Sequence, residues 1–214
     1  MASPIEEDFV YSEIEKLPLN SNILEFGCGD NMFTNKIQNL GHNVTAVDLY
    51  YRTSNINFKF IKGDFENINI PTNNYNCIYA LSSFEHIGME RNNILSDTEI
   101  TYKIQRILNK MKLLLKNNSI LLITLPFGNF SKYYVTQEGK WSCFRKPNSI
   151  WGAKVYDNYD IKEIFKDFIL LKEEYYLRIG KDFFDKNHWI QLPPEKCYIK
   201  KEITDSIACL KFKN

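Results

Sequence analysis

A Gly-x-Gly turn, two aspartates at strand ends and one acid–imidazole pair are the residues here whose types and spacing could do chemistry. Asn22-Ile23-Leu24-Glu25-Phe26 reads as a buried strand carrying one acid, and it stops abruptly at Gly27-Cys28-Gly29. Past the glycines the pattern turns helical, from Met32 through Leu40. A strand running through such a turn into a helix exposes bare backbone at a helix N-terminus, where a nucleotide-type cofactor can approach. Asp48 closes the next strand about 20 residues later, where a carboxylate can accept both hydroxyls of a ribose. Asp64 closes a third strand, placed to accept from an adenine amino group, and a fourth strand runs into Ser82-Ser83-Phe84-Glu85-His86. A single acid at a strand end is equally well a loop residue or a helix cap, and a lone Gly-x-Gly an ordinary turn. Acids at both positions after this glycine turn are harder to dismiss.

The elements that must hold these residues follow from periodicity. Ile5, Phe9, Val10, Ile14 and Leu17 share one helical face, with Ser3 as N-cap, Pro4 at the first helical position and Pro18 as the stop. Strands are expected at Ile23–Phe26, Val44–Asp48, Phe58–Lys62, Cys77–Leu81 and Ile120–Leu125. The longest helix is expected from about Asp97 to Leu115, with Ile100, Ile104, Ile107, Leu108, Met111 and Leu115 as its apolar face and Lys116-Asn117-Asn118 as its stop. Phe127 to Ile150 has no periodicity and reads as an extended loop; Tyr159 to Phe168 reads as a short helix. Ile169 to Ile179 and Asp205 to Phe212 alternate as an antiparallel pair. The expected fold is α/β, Rossmann-like and doubly wound: a mostly parallel seven-stranded sheet with an antiparallel C-terminal strand pair. One domain spans 1–214, with an N-terminal helix in 1–20 and an acceptor-side loop insertion at 127–158.

Composition narrows the function. A net charge of +1 gives no general attraction to nucleic acid or to an anionic membrane surface, and no apolar run approaches the roughly 20 residues that span a bilayer. The five cysteines are odd in number and widely spaced, without Cys-x-x-Cys, which argues against a disulfide framework and a zinc site and for a cytoplasmic location. A dinucleotide fingerprint would need a third glycine where Met32 stands.

Glu25-Phe26-Gly27-Cys28-Gly29, Val47-Asp48, Gly63-Asp64-Phe65 and Tyr79-Ala80-Leu81-Ser82-Ser83-Phe84-Glu85-His86-Ile87 resemble the successive motifs of class I S-adenosylmethionine-dependent methyltransferases. The run from Leu115 through Ile123 resembles that family's turn into strand five. Ser83 to Gly88, with Pro126-Phe127-Gly128 and Val155-Tyr156-Asp157, is more loosely similar to methyltransferase-like proteins found among bacterial surface-polysaccharide genes. The sequence departs from the pattern at Asn31, where the third glycine usually stands, and at Asn117-Asn118-Ser119, where Pro-Gly-Gly is usual; both substitutes are turn formers.

The resemblance implies that S-adenosyl-L-methionine is the cofactor. Glu25, Gly27, Cys28 and Gly29 would line its methionine and ribose side. Asp48 and Leu49 would hold the ribose, and Asp64 and Phe65 the adenine. Leu81, Ser82 and Ser83 would pass beneath the sulfonium. It implies methyl transfer to a small-molecule acceptor, with a hydroxyl of a sugar or surface-glycan precursor favoured. For a hydroxyl, His86 with Glu85 is the candidate general base, since an unperturbed histidine titrates near about 6.5; capping of the following loop is the plainer role for the pair. His188 is a second candidate, and His42 reads as a turn residue. No metal site is expected. More than half of the aromatics follow Phe127. They could form an acceptor lid over Phe127–Trp151, pack an insertion onto the sheet, or make a homodimer contact. An NAD-dependent oxidoreductase and a non-catalytic S-adenosylmethionine-binding module are the alternatives.

Overall fold

A computed structural model describes residues 2–29, 33–49, 56–90, 93–136, 151–198 and 205–214. Helix α1 (Pro4–Ile14) starts in a capping box, in which the Glu6 amide donates to Ser3 Oγ and the Ser3 amide donates to Glu6 Oε2. There follow β1 (Asn22–Phe26), α2 (Phe33–Gln38), β2 (Asn43–Asp48), β3 (Lys59–Lys62) and β4 (Tyr75–Ala80). A small hairpin of β5 (Met89–Glu90) and β6 (Asn93–Ile94) leads to α3 (Asp97–Leu114), itself opened by a Ser96/Glu99 capping box. Then come β7 (Leu115–Pro126), β8 (Lys132–Thr136), β9 (Trp151–Val155), α4 (Asn158–Ile164), β10 (Ile169–Arg178), β11 (Trp189–Gln191) and β12 (Ser206–Lys213).

The main sheet has the order β11-β10-β12-β7-β4-β1-β2-β3. Pairings among β7, β4, β1, β2 and β3 are parallel; β12 lies antiparallel between β7 and β10, and β11 is antiparallel to β10. The chain winds from β1 outward to β3, then returns to β4 on the other side of β1. That reversal places a topological switch point between β1 and β4, where open α/β sheets bind ligands at the carboxyl ends of their strands.

Strand residues alternate between two cores because successive side chains leave opposite faces of a sheet. Leu24, Ile78, Leu121 and Ile123 pack with Ile100, Ile104, Leu108 and Met111 of α3 and with Ile161 of α4. Ile23, Cys77, Tyr79 and Leu122 pack with Phe9, Val10 and Ile14 of α1 and with Phe33 and Ile37 of α2. Glu13 of α1 accepts from Lys16, Lys172 and Lys211, tying the helix to β10 and β12.

The sheet is thus the expected doubly wound α/β sheet with its antiparallel C-terminal pair, and it has eight strands rather than seven. The extra one, β11, is only three residues long, too short for alternation to reveal. Strand β7 starts directly after α3. Leu115 pairs with Tyr75 and Ile120 with Cys77, so the expected Asn-rich turn lies inside the strand as an irregularity with Asn118 at φ 62°. The segment read as an extended loop contains β8, which pairs antiparallel with β9 from Lys132↔Val155 to Thr136↔Trp151. Its partner is too distant in sequence for local pattern to announce it. Residues 137–150, with Trp141 and Phe144 of the expected lid, lie outside the described residues, as do Asn31 and Met32. No helix among the described residues is long and apolar enough to cross a membrane.

Candidate functional site

Gly27 and Gly29 serve the turn after β1 in different ways. Gly27 has φ +74° and donates to the Val47 carbonyl at 2.8 Å. A Cβ there would stand 2.6 Å from Ser83 Cβ, so this glycine lets the β1 and β4 exits touch. Gly29 has φ +57°, and a Cβ on it would meet nothing among the described residues within 4 Å. Its amide donates to Asp48 Oδ2 at 2.6 Å, which fixes the carboxylate at the end of β2 against the turn. Cys28 is buried between them and Leu49 is half-buried beyond Asp48.

Beneath the turn, Glu25 is 1% exposed. Its Oε2 accepts from Tyr79 Oη at 2.8 Å and from Thr34 Oγ1 of α2. Burial pushes its carboxyl up to about 7, against the pull of those two hydrogen bonds. Tyr79 stands opposite Glu25 in the β1–β4 register, so the acid joins both central strands to α2. Farther along the same edge, Asp64 organises the turn after β3: its Oδ1 accepts from the Glu66 amide at 3.1 Å, and Lys103 Nζ lies 4.0 Å from its Oδ2. Phe65 is buried edge-on against Phe26, with ring centroids 5.0 Å apart.

The exit of β4 is the most constrained part of the site. Leu81 is buried, and Ser82 holds φ 46°, a left-handed conformation uncommon for a residue with a Cβ. Neighbours fix it there. The Ser82 amide donates to Thr124 Oγ1 at 3.0 Å and Ser82 Oγ donates to Glu6 Oε1 at 2.6 Å. Thr124 Oγ1 donates to the same Glu6 oxygen at 2.8 Å, so buried Glu6 ties α1 across the ends of β4 and β7. Ser83 Oγ donates to the Phe26 carbonyl at 2.8 Å.

Glu85 and His86 follow in a single 3-10 turn, Phe84–His86. Glu85 is buried, and its Oε2 has no hydrogen-bond partner among the described residues. His86 Nδ1 lies 2.8 Å from the Gly152 carbonyl of β9. A carbonyl only accepts, so Nδ1 carries the proton and the lone pair of the neutral ring sits on Nε2, 3.8 Å from Glu85 Oε1. The same contact docks the β8–β9 hairpin on the β4 exit, assisted by Tyr156 Oη donating to the Phe84 carbonyl at 3.3 Å.

The structure therefore gathers the glycine turn, Asp48, Ser82, Ser83, Glu85 and His86 around the switch point, with Asp64 and Phe65 two strands along the carboxyl edge. It does not bring His188 there. That residue precedes β11, four strands from β4 or roughly 19 Å at the usual strand spacing. His42 is no turn residue. It is 2% exposed, bonded to the Ile14 backbone, and burial pushes its pKa down. Sequence reading missed Glu6, Thr34, Tyr79 and Thr124. Only Glu6 had a local signal, its capping box, and that signal said nothing of the reach to Ser82.

Comparison with known proteins agrees with this geometry. The family described as "Methyltransferase domain" matches residues 7–168. No curated protein matches the chain. Among solved structures, a Methanosarcina mazei S-adenosylmethionine-dependent methyltransferase superposes with TM-score 0.64 at 9% identity, covering 99% of this chain and 97% of the other. A Burkholderia thailandensis 1,6-didemethyltoxoflavin-N1-methyltransferase, bound to 1,6-didemethyltoxoflavin and S-adenosylhomocysteine, gives 0.60 at 10% identity, covering 99% and 77%. The Bradyrhizobium japonicum N-methyltransferase NodS, with S-adenosylhomocysteine, gives 0.52 at 13% identity, covering 99% and 88%. At these identities the likeness is one of fold.

Proposed function

The chain belongs to the methyltransferase-domain family and is an S-adenosylmethionine-dependent enzyme; from that premise we propose that it methylates a small molecule, with a hydroxyl of a sugar or surface-glycan precursor as the favoured acceptor. The observation that carries this reading is the glycine turn itself. Gly29 has no described residue within 4 Å of where a Cβ would stand, and Asp48 is held against its amide at the switch point. These features suit the cofactor: an open backbone floor, and a carboxylate oriented at the end of β2. S-adenosylmethionine supplies an electrophilic methyl group on a sulfonium.

The chain's own residues do the rest. Gly27, Cys28 and Gly29 form the floor for the methionine and ribose side, with Glu25 beneath it. Asp48, beside Leu49, receives the ribose hydroxyls, and Asp64 with the edge of Phe65 borders the adenine. Leu81, Ser82 and Ser83 line the passage from cofactor to acceptor, held by Glu6 and Thr124 so that little reorganisation is needed on binding. His86 Nε2 takes the proton of an attacking hydroxyl; its ring is fixed by the Gly152 carbonyl. The β8–β9 pair, docked on the β4 exit through His86, serves as the acceptor lid and excludes water from the reacting atoms.

Asp48→Ala tests the cofactor assignment, measured by calorimetric binding of S-adenosylhomocysteine. A loss of tenfold or more is expected from the removed charge-assisted hydrogen bonds to ribose. An unchanged affinity contradicts it. Truncating the hairpin tests the lid: turnover should vanish while cofactor affinity stays, and an equal loss of both would make the segment core instead.

A further inference from the structure

We propose that Glu85 reads the acceptor: its unpartnered Oε2 hydrogen-bonds an uncharged hydroxyl of the acceptor molecule, next to the one that receives the methyl group. This rests on the methyltransferase reading and adds to it the group that selects the substrate.

Position comes first. Glu85 is two residues beyond Ser83, whose Cβ packs against Gly27 of the cofactor turn, so it stands within one turn of the reacting centre. Buried polar atoms are almost always paired, and an exception beside a binding site calls for a partner that arrives with the ligand. Among the described residues Glu85 Oε2 is such an exception.

The neighbouring charges define what that partner is. From α1, Glu6 adds negative charge, and its own oxygens are taken by Ser3, Ser82 and Thr124. From β9, Lys154 is drawn to Asp160 at 2.9 Å, and just past the strand the Tyr156 hydroxyl donates to the Phe84 carbonyl. From β7, Thr124 donates to Glu6. From its own turn, His86 faces Glu85 at 3.8 Å. Among the described residues no lysine or arginine pairs with the carboxyl. Burial, and then the charge of Glu6, push it up to about 8, against its own backbone amide and the chain's α-amino group. At neutral pH Glu85 is a neutral acid with one donor and spare acceptors, which matches a hydroxyl, itself both donor and acceptor. Glu85 Oε1 lies 3.8 Å from His86 Nε2, so the two side chains are adjacent and neighbouring hydroxyls of one ring can meet one each.

Glu85→Gln keeps a neutral donor–acceptor group, whereas Glu85→Leu removes both functions at similar volume. The probes are methyl glucopyranoside, methyl rhamnopyranoside and methyl 2-amino-2-deoxyglucopyranoside, added to protein loaded with S-adenosylhomocysteine and followed by saturation-transfer NMR. A neutral glycoside should bind wild type and Glu85→Gln equally and Glu85→Leu roughly tenfold more weakly. Thermal unfolding should show Glu85→Leu folded and no less stable than wild type, because it removes an unpaired buried acid. Equal binding to wild type and Glu85→Leu overturns the proposal, as does failure of both neutral glycosides to bind wild type. Preference for the amino sugar with loss in Glu85→Gln also overturns it, assigning a charged partner instead. S-adenosylhomocysteine affinity is read on the same samples. Its absence in every form overturns the methyltransferase reading and this proposal with it, whereas its retention isolates any failure to Glu85.

Discussion

Gly27 and Gly29 are two residues apart with the same backbone handedness, yet replacing each by alanine should fail in opposite ways. At Gly27→Ala the left-handed backbone costs roughly 1–2 kcal/mol, and the new methyl falls 2.6 Å from Ser83 Cβ and 3.0 Å from Ser83 Oγ. Ser83 is pinned by its bond to the Phe26 carbonyl, so it cannot swing away without losing that bond. Overpacking of this kind adds about 1–3 kcal/mol, for a total stability loss of about 2–5 kcal/mol. Gly29→Ala carries the same backbone cost of roughly 1–2 kcal/mol and no clash with the described residues, none of which lies within 4 Å of its Cβ. On the proposed placement the cofactor lies against Gly29, so the methyl obstructs binding directly. Urea unfolding read by fluorescence gives the stability of each variant, and calorimetry with S-adenosylhomocysteine gives the affinity. Gly27→Ala should be much the less stable, and its deficit should shrink when Ser83→Gly is added. Gly29→Ala should fold well and bind at least tenfold more weakly. Wild-type affinity in Gly29→Ala would refute the placement of the cofactor, and equal stabilities would refute the division of labour between the glycines.

Stability should fall as pH rises from about 4.5 toward 7 and 8, because the folded Glu25 and Glu85 hold protons that the unfolded chain has released. The slope is about 1.4 kcal/mol per pH unit for each group, it ends above the folded values, and Glu85→Gln should remove its share in urea titrations at pH 5, 7 and 9. Glu6→Ala strands the hydroxyls of Ser82 and Thr124 and the Ser3 amide. A loss of about 2–4 kcal/mol is expected, with hydrogen exchange accelerating first in α1. A Cβ on Gly152 would lie 2.1 Å from Met89 Cε. Gly152→Ala should therefore loosen the hairpin from His86, seen as protease cleavage near β9 while cofactor affinity is retained.

What could be read in the sequence was local. The Ser3 N-cap, the apolar face of α3 and the glycine turn with Asp48 each rest on residues a few positions apart, or on one strand end at a time. The order of the strands then placed the glycine turn, Asp48, Asp64 and the β4 exit on one sheet edge, because a doubly wound fold brings parallel strand ends together. Partnerships across long separations were invisible. Glu6 meets Ser82 over 76 residues and Thr124 over 118, and Glu25 meets Tyr79 over 54. A glutamate in a first helical turn satisfies its cap whether or not it also reaches another strand, so no pattern in α1 marks it. The β8–β9 pairing and the three-residue β11 were hidden for the same reason: each is set by its partner strand. His42 looked like a turn residue because it follows Gly41, while its burial is decided by the packing of α1 near Ile14.

Whether the turn from Gly27 to Gly29, with Asp48, holds a methyl donor is decided by titrating the purified protein with S-adenosylmethionine and, separately, with NAD. Saturable S-adenosylmethionine binding is expected, lost in Asp48→Ala and in Gly29→Ala, with no comparable binding of NAD. Tight NAD binding without S-adenosylmethionine binding would contradict it.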